Sequence, residues 1–275
     1  MREPVTAPWR LWGVRMGRGE RRTRDNFLVP GDRCGHSDID FIVWVAARGD
    51  DVVVVDTGFS PQAGRRRGRE LELGPGQAVE LLGFRRSDVR AVVLSHLHFD
   101  HAGNLGDFPD ARIVVQGAEM AYVTGSAMRH RRLNHFYEPD DVAELIRLLF
   151  AGRVDVVDGH HEVLPGIQVE LIGGHTRGSQ AVAVDTARGR VVLAADSIHF
   201  AENLHDANPF PAMVDVEGVL DGFATIGRLA DSPDHVIPGH DPKLFEQYPL
   251  LDADTSARIA VLHEPPRAPT QEDTQ

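Results

Sequence analysis

The chain has 275 residues, 42% of them hydrophobic, enough for one large domain with a buried core; a single domain is expected over residues 1–264. Its formal charge of −12 counts against a nucleic-acid partner, because such binding depends on clustered positive charge that neutralises phosphates. No apolar run approaches the roughly eighteen residues of a membrane span, no apolar leader precedes a small-residue cleavage site, and Cys34 is the only cysteine. A cytoplasmic protein without a disulfide or a membrane partner is therefore expected.

Near the start, the segment 9–12 holds Trp9 and Trp12 and reads as a surface that could pack against a second copy in a homodimer. Residues 18–24 hold four arginines, and Arg65-Arg66-Arg67-Gly68-Arg69 is a second basic run. Neither is interleaved with aromatics or with glycine in a phosphate-cradling pattern, so both read as solvated surface. Apolar runs at 41–46 and 52–55 flank Arg48-Gly49-Asp50-Asp51 and predict a hairpin. Asp56 follows directly, and a carboxylate at the end of a buried strand needs a partner.

Further along, the pattern predicts a helix over 77–82, strands over 91–94 and 113–115, and a helix over 118–123. Apolar residues at helical spacing after Asp140 and Asp141 predict a helix over 140–150. Three strands follow at 167–171, 181–184 and 191–194, with Ala187-Arg188-Gly189 as the turn between the last two, then a helix over 216–229. The tail from Pro265 is polar and proline-rich and reads as disordered. The polar segment 125–139 lacks periodicity, as a lid or a plain surface loop would.

The most informative stretch is Ser95-His96-Leu97-His98-Phe99-Asp100-His101, three imidazoles and a carboxylate directly after an apolar strand. These are the ligand types that zinc and its first-row neighbours take in hydrolytic sites. In extended backbone His96 and His98 project to the same side and can chelate one ion. Asp100 and His101 lie just beyond, placed to serve a second ion. Two divalent cations are implied, zinc being the expected metal, with manganese, iron or cobalt accepted by the same donors.

This H-x-H-x-D-H run resembles the signature of the metallo-β-lactamase superfamily, and the chain continues the resemblance with His175 in Gly-Gly-His-Thr, Asp196 in Ala-Ala-Asp and His240 in Pro-Gly-His. The resemblance implies that His96, His98 and His175 hold one ion, that Asp100, His101 and His240 hold the other, and that Asp196 bridges them. It also implies an α/β fold, the αββα sandwich, with the metals at one edge between two sheets, and places Asp56 where it orients a ligand imidazole. The chemistry implied is attack by a metal-bridging hydroxide, with Asp100 or Asp196 moving the proton to the leaving oxygen.

In the wording of this run, the short Gly-His-Thr segment, the expected lack of an added C-terminal substrate-binding domain and the expected cytoplasmic character, the chain looks most like the N-acyl-homoserine lactonase branch, which implies a quorum-quenching hydrolase acting on a small-molecule lactone. Other esters, thioesters or phosphodiesters are the alternative substrates, and a catalytically silent metal-binding scaffold is the alternative class. Two departures from the branch stand out. His199 occupies the place of a tyrosine that holds the lactone carbonyl, and could serve as the catalytic hydrogen-bond donor instead. Arg177 and Ser179 replace residues of the usual Gly-His-Thr-Pro-Gly-His. Met128, Phe136, Tyr137, Phe200 and Phe210 are candidates for an apolar acyl pocket. His160, His161 and His205 are given no role.

Overall fold

The uninterrupted apolar run that includes residues 41–47 is explained by burial on both faces of its strand. In the computed structural model, which describes residues 7–252 and 258–267, Phe41, Val43, Val45 and Ala47 face one core while Ile42, Trp44 and Ala46 face another. A strand covered on both sides has no reason to alternate apolar with polar.

The strands in chain order are β1 (Arg10–Arg22), β2 (His36–Arg48), β3 (Asp51–Val55), β4 (Val89–Val93), β5 (Arg112–Gln116), β6 (Val154–Val157), β7 (His161–Leu164), β8 (Ile167–Leu171), β9 (Gln180–Thr186), β10 (Gly189–Ala195), β11 (Val236–Pro238) and β12 (Ile259–Val261). They form a seven-stranded sheet ordered β12-β1-β2-β3-β4-β5-β6 and a five-stranded sheet ordered β11-β10-β9-β8-β7. From β3 to β6 the first sheet is parallel, as are β10 and β11 in the second; the other neighbours run antiparallel.

The helices are α1 (Pro61–Arg67), α2 (Pro75–Leu81), α3 (Gly117–Val123), α4 (Arg131–Asn134), α5 (Pro139–Phe150), α6 (Ala201–His205), α7 (Val216–Leu229) and α8 (Leu244–Gln247). Leu145 and Leu148 of α5 are buried on the outer face of the first sheet, and Val219, Phe223 and Ile226 of α7 on that of the second. Between the sheets, Trp44, Val55, Val93 and Val114 of the first pack with Val169, Val182, Leu193 and Ile237 of the second. The layers run helix, sheet, sheet, helix, the αββα sandwich expected from the family resemblance. None of the helices in the described residues is long and apolar enough to cross a membrane.

The expected central strands and helices are present within a few residues of their expected limits, but β1, β6, β7, β12, α1 and the short helices α4, α6 and α8 were not anticipated. The strand β1 is the largest of these, a thirteen-residue partner for β2 with a bulge between Arg15 and Gly17. Its glycines and arginines mask a strand pattern in the sequence, and the partner strand overrides that local preference. It also corrects the dimer surface expected at 9–12. Trp9 is buried with its indole N–H donating to Pro165 O at 3.1 Å, and Trp12 is buried against Phe84 and His263. Of the expected tail, residues 268–275 lie outside the described residues.

Candidate metal centre

Strand ends bring the ligand candidates together. His96, His98, Asp100 and His101 follow β4, His175 lies between β8 and β9, Asp196 follows β10 and His240 follows β11. All seven converge at one edge of the sandwich, in groups whose ligand atoms lie within 4.8 Å of one another.

Two sets share a single carboxylate. His175 Nε2 is 3.2 Å from His96 Nε2, 2.9 Å from His98 Nδ1 and 3.2 Å from Asp196 Oδ2. The other oxygen, Asp196 Oδ1, is 3.1 Å from His101 Nε2 and 2.9 Å from His240 Nε2. Asp100 closes the second set, 3.8 Å from His101 Nε2 and 3.9 Å from His240 Nε2. Four donors held about 2.0–2.1 Å from a tetrahedral ion stand about 3.3 Å apart, so these spacings are those of ligands around a cation. His101 Nε2, His240 Nε2 and Asp196 Oδ1 are buried without an aligned hydrogen bond. A divalent ion in each set would satisfy them, so the donor chemistry fits the metals expected from the sequence.

Protonation divides the imidazoles into two groups. Burial keeps His96, His98 and His199 below the ordinary histidine range and His175 down at about 3, leaving neutral rings whose lone pairs can bind a cation. For His101 and His240 burial acts the same way but is outweighed by Asp196 and neighbouring carboxylates, which draw protons to these two rings. Burial alone would raise the Asp196 carboxyl; the surrounding imidazoles outweigh it and hold it well below the usual carboxylate range.

Hydrogen bonds behind the ligands fix which ring nitrogen faces inward. Asp56, fully buried, accepts from His101 Nδ1 at 2.8 Å and from Ser95 N and Oγ, both at 2.7 Å. Ser95 Oγ in turn accepts from His96 Nδ1 at 3.0 Å. His240 Nδ1 donates to Asp40 O at 2.8 Å. In all three rings Nε2 is thereby left to the centre, the arrangement that metal-ligating histidines take. Asp56 has φ of 61° and Ala195, just before Asp196, has φ of 44°. Such left-handed backbone costs an alanine about 1 kcal/mol or more, and here it turns the chain sharply at the strand end to aim Asp196 inward.

Glu119 of α3 is a support that sequence reasoning missed. Fully buried, it accepts from Leu97 N at 3.1 Å, Thr176 Oγ1 at 2.6 Å and Gly178 N at 3.1 Å, with Tyr137 OH at 3.4 Å. One carboxylate thus ties the loop carrying His96 and His98 to the loop carrying His175. Any side chain at Gly178 would meet Glu119 N at 2.1 Å, so the two segments touch backbone to backbone. The only signal in the sequence was an acidic residue inside a short, otherwise apolar helix. Gln180 closes the same seam, its backbone N–H donating to Ser95 O and its Nε2 to Leu94 O.

Over the ligands lies a cavity of about 250 Å³ whose walls include Ile39, Phe41, Phe99, Phe136, Phe210 and Ala212. His199 is part of the wall. Its Nε2 is 3.1 Å from Asp196 Oδ2 and its ring stacks on Phe210 at 3.8 Å with 5° between the planes. With Asp196 and His240 it makes a third grouping that could hold a metal.

The metallo-beta-lactamase superfamily profile matches residues 41–252, which include every ligand candidate. The chain belongs to the metallo-beta-lactamase superfamily. It is 31% identical over 175 residues to an N-acyl homoserine lactonase of Bacillus cereus, a match covering 61% of this chain and 64% of the relative, so somewhat under two thirds of that relative is spanned. A second N-acyl homoserine lactonase, from Bacillus sp., is 28% identical over 258 residues, covering 81% of this chain and 97% of the relative. The crystal structure of a quorum-quenching N-acyl homoserine lactone lactonase superposes with a TM-score of 0.71 at 24% identity, covering 86% of this chain and 94% of that one, which shows the shared fold. Superfamily membership and these relatives support a metal-dependent hydrolase.

Against this superfamily frame, several expectations about the surroundings change. Of the five apolar candidates, Phe136 and Phe210 line the cavity over the ligands, whereas Met128, Tyr137 and Phe200 do not. Tyr137 is buried behind His98 and bonded to Glu119, Met128 packs on the outer core, and Phe200 packs with Ile39 and Phe210. The segment 125–139 folds into short helical turns and is pinned at its end by Arg67 Nη2 on His135 O and by Phe99 N on Phe136 O. Ser179 Oγ donates to Gly173 O at 2.8 Å, and the Arg177 guanidinium lies 5.7 Å from the Tyr122 ring in a separate cavity. His160 pairs with Glu170 and His205 with Asp206, away from the centre.

The basic runs need a larger correction. Four of their eight arginines have acidic partners: Arg18 on Asp38 and Asp40, Arg22 on Asp25, Arg66 and Arg67 on Glu138. Arg21, Arg67 and Arg69, however, line the cavity above the metal ligands. Residues from two runs separated in the chain meet there because β1 and the segment after α1 lie side by side, a juxtaposition that no local pattern reports.

Proposed function

We propose that this chain is a dinuclear metal hydrolase that opens lactone rings, those of N-acyl homoserine lactones or related lactones. The observation that carries the reading is Asp196, whose two oxygens face two separate sets of imidazoles (Oδ2 toward His175, Oδ1 toward His101 and His240) beneath a cavity with apolar walls. His96, His98 and His175 would hold one ion, Asp100, His101 and His240 the other, and Asp196 both. Such ions, when bound, lower the pKa of water and polarise a carbonyl oxygen.

The protein's own groups do the rest. Asp56 and the Asp40 carbonyl keep His101 and His240 in the tautomer that leaves Nε2 free. The apolar walls orient the substrate and exclude water from its acyl part. As water adds to the lactone carbonyl and the ring C–O bond breaks, Asp100 receives the proton and passes it to the departing oxygen, which leaves as an alcohol. Asp100 suits this role because its side chain is 12% exposed, the most open of the carboxylates in the set. His199, in the cavity wall with its Nε2 3.1 Å from Asp196 Oδ2, would take the part of a hydrogen-bond donor to the developing oxyanion.

The test is acid release by the zinc- or cobalt-loaded protein on a panel of acyl homoserine lactones, simple γ-lactones, an aryl ester, a thioester and a phosphodiester. Lactone turnover that a chelator abolishes and added metal restores is the expected result. Turnover of only the thioester or the phosphodiester would overturn the substrate assignment, and silence across the panel would overturn the hydrolase reading for all of these classes.

A further inference from the structure

In a chain of formal charge −12, the mouth of the site is basic, and two of its arginines are bonded to no carboxylate among the described residues. Arg67 is engaged by Glu138 and by the His135 carbonyl. Among the described residues, the Arg69 guanidinium makes no hydrogen bond or ion pair; it lies over Phe41, 5.9 Å from the ring centre. Arg21 donates Nη2 to the backbone oxygen of Asp25 at 2.6 Å, while that residue's carboxylate is taken by Arg22. Its Nε is buried with no partner at all.

The two free cations are also neighbours. A Cβ placed on Gly19 would come within 2.9 Å of Arg69 Cζ, so that guanidinium lies flat on β1 where a side chain at position 19 would stand. Residues i and i+2 of a strand share a face about 7 Å apart, which sets Arg69 beside the base of Arg21. The Arg21 guanidinium in turn lies 4.4 Å from the centre of the Phe210 ring, the ring stacked on His199. Burial pushes the Arg21 guanidinium below its ordinary value, with the nearby Asp25 charge opposing the shift and that of Arg69 adding slightly to it. Two adjacent cations, neither bonded to a carboxylate, repel one another, and an oxyanion between them relieves the repulsion while filling donors that otherwise go unused.

We propose that Arg21 and Arg69 form an oxyanion subsite at the mouth of the metal site and select substrates that carry a carboxylate or a phosphate monoester away from the bond being hydrolysed. This rests on the lactone reading and narrows it, from neutral acyl homoserine lactones toward lactones with an anionic substituent. Planar guanidinium forks match both oxyanions, so the choice between them is left to the substrates tested.

The experiment compares kcat/KM of the metal-loaded full chain on a γ-lactone bearing a side-chain carboxylate, its carboxamide counterpart and its phosphate-monoester counterpart, at two salt concentrations. Each charged lactone, or one of them, is expected to exceed the carboxamide by about tenfold or more at low salt, with the ratio shrinking as salt rises. In Arg69→Gln and in Arg21→Gln that ratio is expected to fall toward one. A ratio near one in the unaltered protein, or one that both variants leave intact, overturns the subsite while lactone turnover still supports the lactonase reading. If no lactone is turned over, calorimetric titration of the metal-loaded protein with glutarate and with inorganic phosphate decides separately. Binding weakened about tenfold by Arg69→Gln retains the subsite without the lactonase, and equal binding to both proteins overturns it.

Discussion

In the floor of the site, seven ligand candidates lean on one another, most with nitrogen and oxygen atoms about 3 Å apart, and three of the rings are bonded on their far side to Asp56, Ser95 and the Asp40 carbonyl. At the mouth the side chains are larger and less interlocked: Phe136 and Phe210 offer apolar walls, and Arg21 and Arg69 hold charge with no carboxylate bonded to either. The contrast separates two tasks. A floor that is interlocked fixes the chemistry, and a mouth whose groups are spare is free to choose what the chemistry is done to.

Substitutions should divide along that line, and the largest effects belong to the floor. Asp196→Asn removes the charge shared by both ligand sets and is expected to lower lactone turnover by about a thousandfold or more, with loss of bound metal visible by elemental analysis. Retention of two equivalents of metal with near-normal turnover would show that Asp196 is not shared. Glu119→Ala strands the Leu97 and Gly178 amides and the Thr176 hydroxyl, and is expected to cost about 3 kcal/mol in urea unfolding. Asp56→Asn keeps the shape but weakens the hold on His101; competition with a chelator should show metal affinity lowered by about tenfold to a hundredfold.

At the mouth the expected change is of another kind. Phe210→Ala should raise KM for long-chain lactones by about fivefold to tenfold while metal content and urea midpoint stay close to those of the parent protein. A loss of metal in this variant would erase the distinction between the two regions.

The smallest effect lies outside both. Asp141, in the first turn of α5, has a buried oxygen without a partner, and burial with nearby Glu138 raises its carboxyl to about 7. A folded value above the unfolded one means that the native state holds an extra proton between about pH 4 and pH 7, so stability drains away as pH rises through that range. Asp141→Asn is accordingly expected to stabilise by about 1 kcal/mol at pH 8, the helix N-terminus offsetting part of the penalty, and to do little at pH 4, as read from urea curves at the two pH values.

Legibility from the sequence follows the same division. His96, His98, Asp100 and His101 fall within six residues and announce themselves; His175, Asp196 and His240 are single residues at strand ends that only the first cluster makes meaningful. The central strands were readable because burial on both faces leaves continuous apolar runs, whereas β1, with its glycines and arginines, hides its strand character until β2 is laid beside it. For the same reason Arg21 and Arg69 read as surface: their proximity is a product of the sheet, and Gly19, whose bare face admits Arg69, gives no sign of this in the sequence. Glu119 was missed because a helical acid is ordinarily solvated, and its four donors come from other parts of the chain.

The seam made by Glu119 and Gln180 bears on the order in which the protein folds. His175, Asp196 and His240 reach the loop after β4 only when the five-stranded sheet has docked on the seven-stranded one, and the bonds from Gln180 to Leu94 and Ser95 form in that same step. Contacts between segments so distant in the chain form slowly, because the loops they close must be ordered first. An unfolded or half-folded chain offers a cation only the short cluster around His96, so an ion that binds the closed form more tightly would draw the last step of assembly to completion.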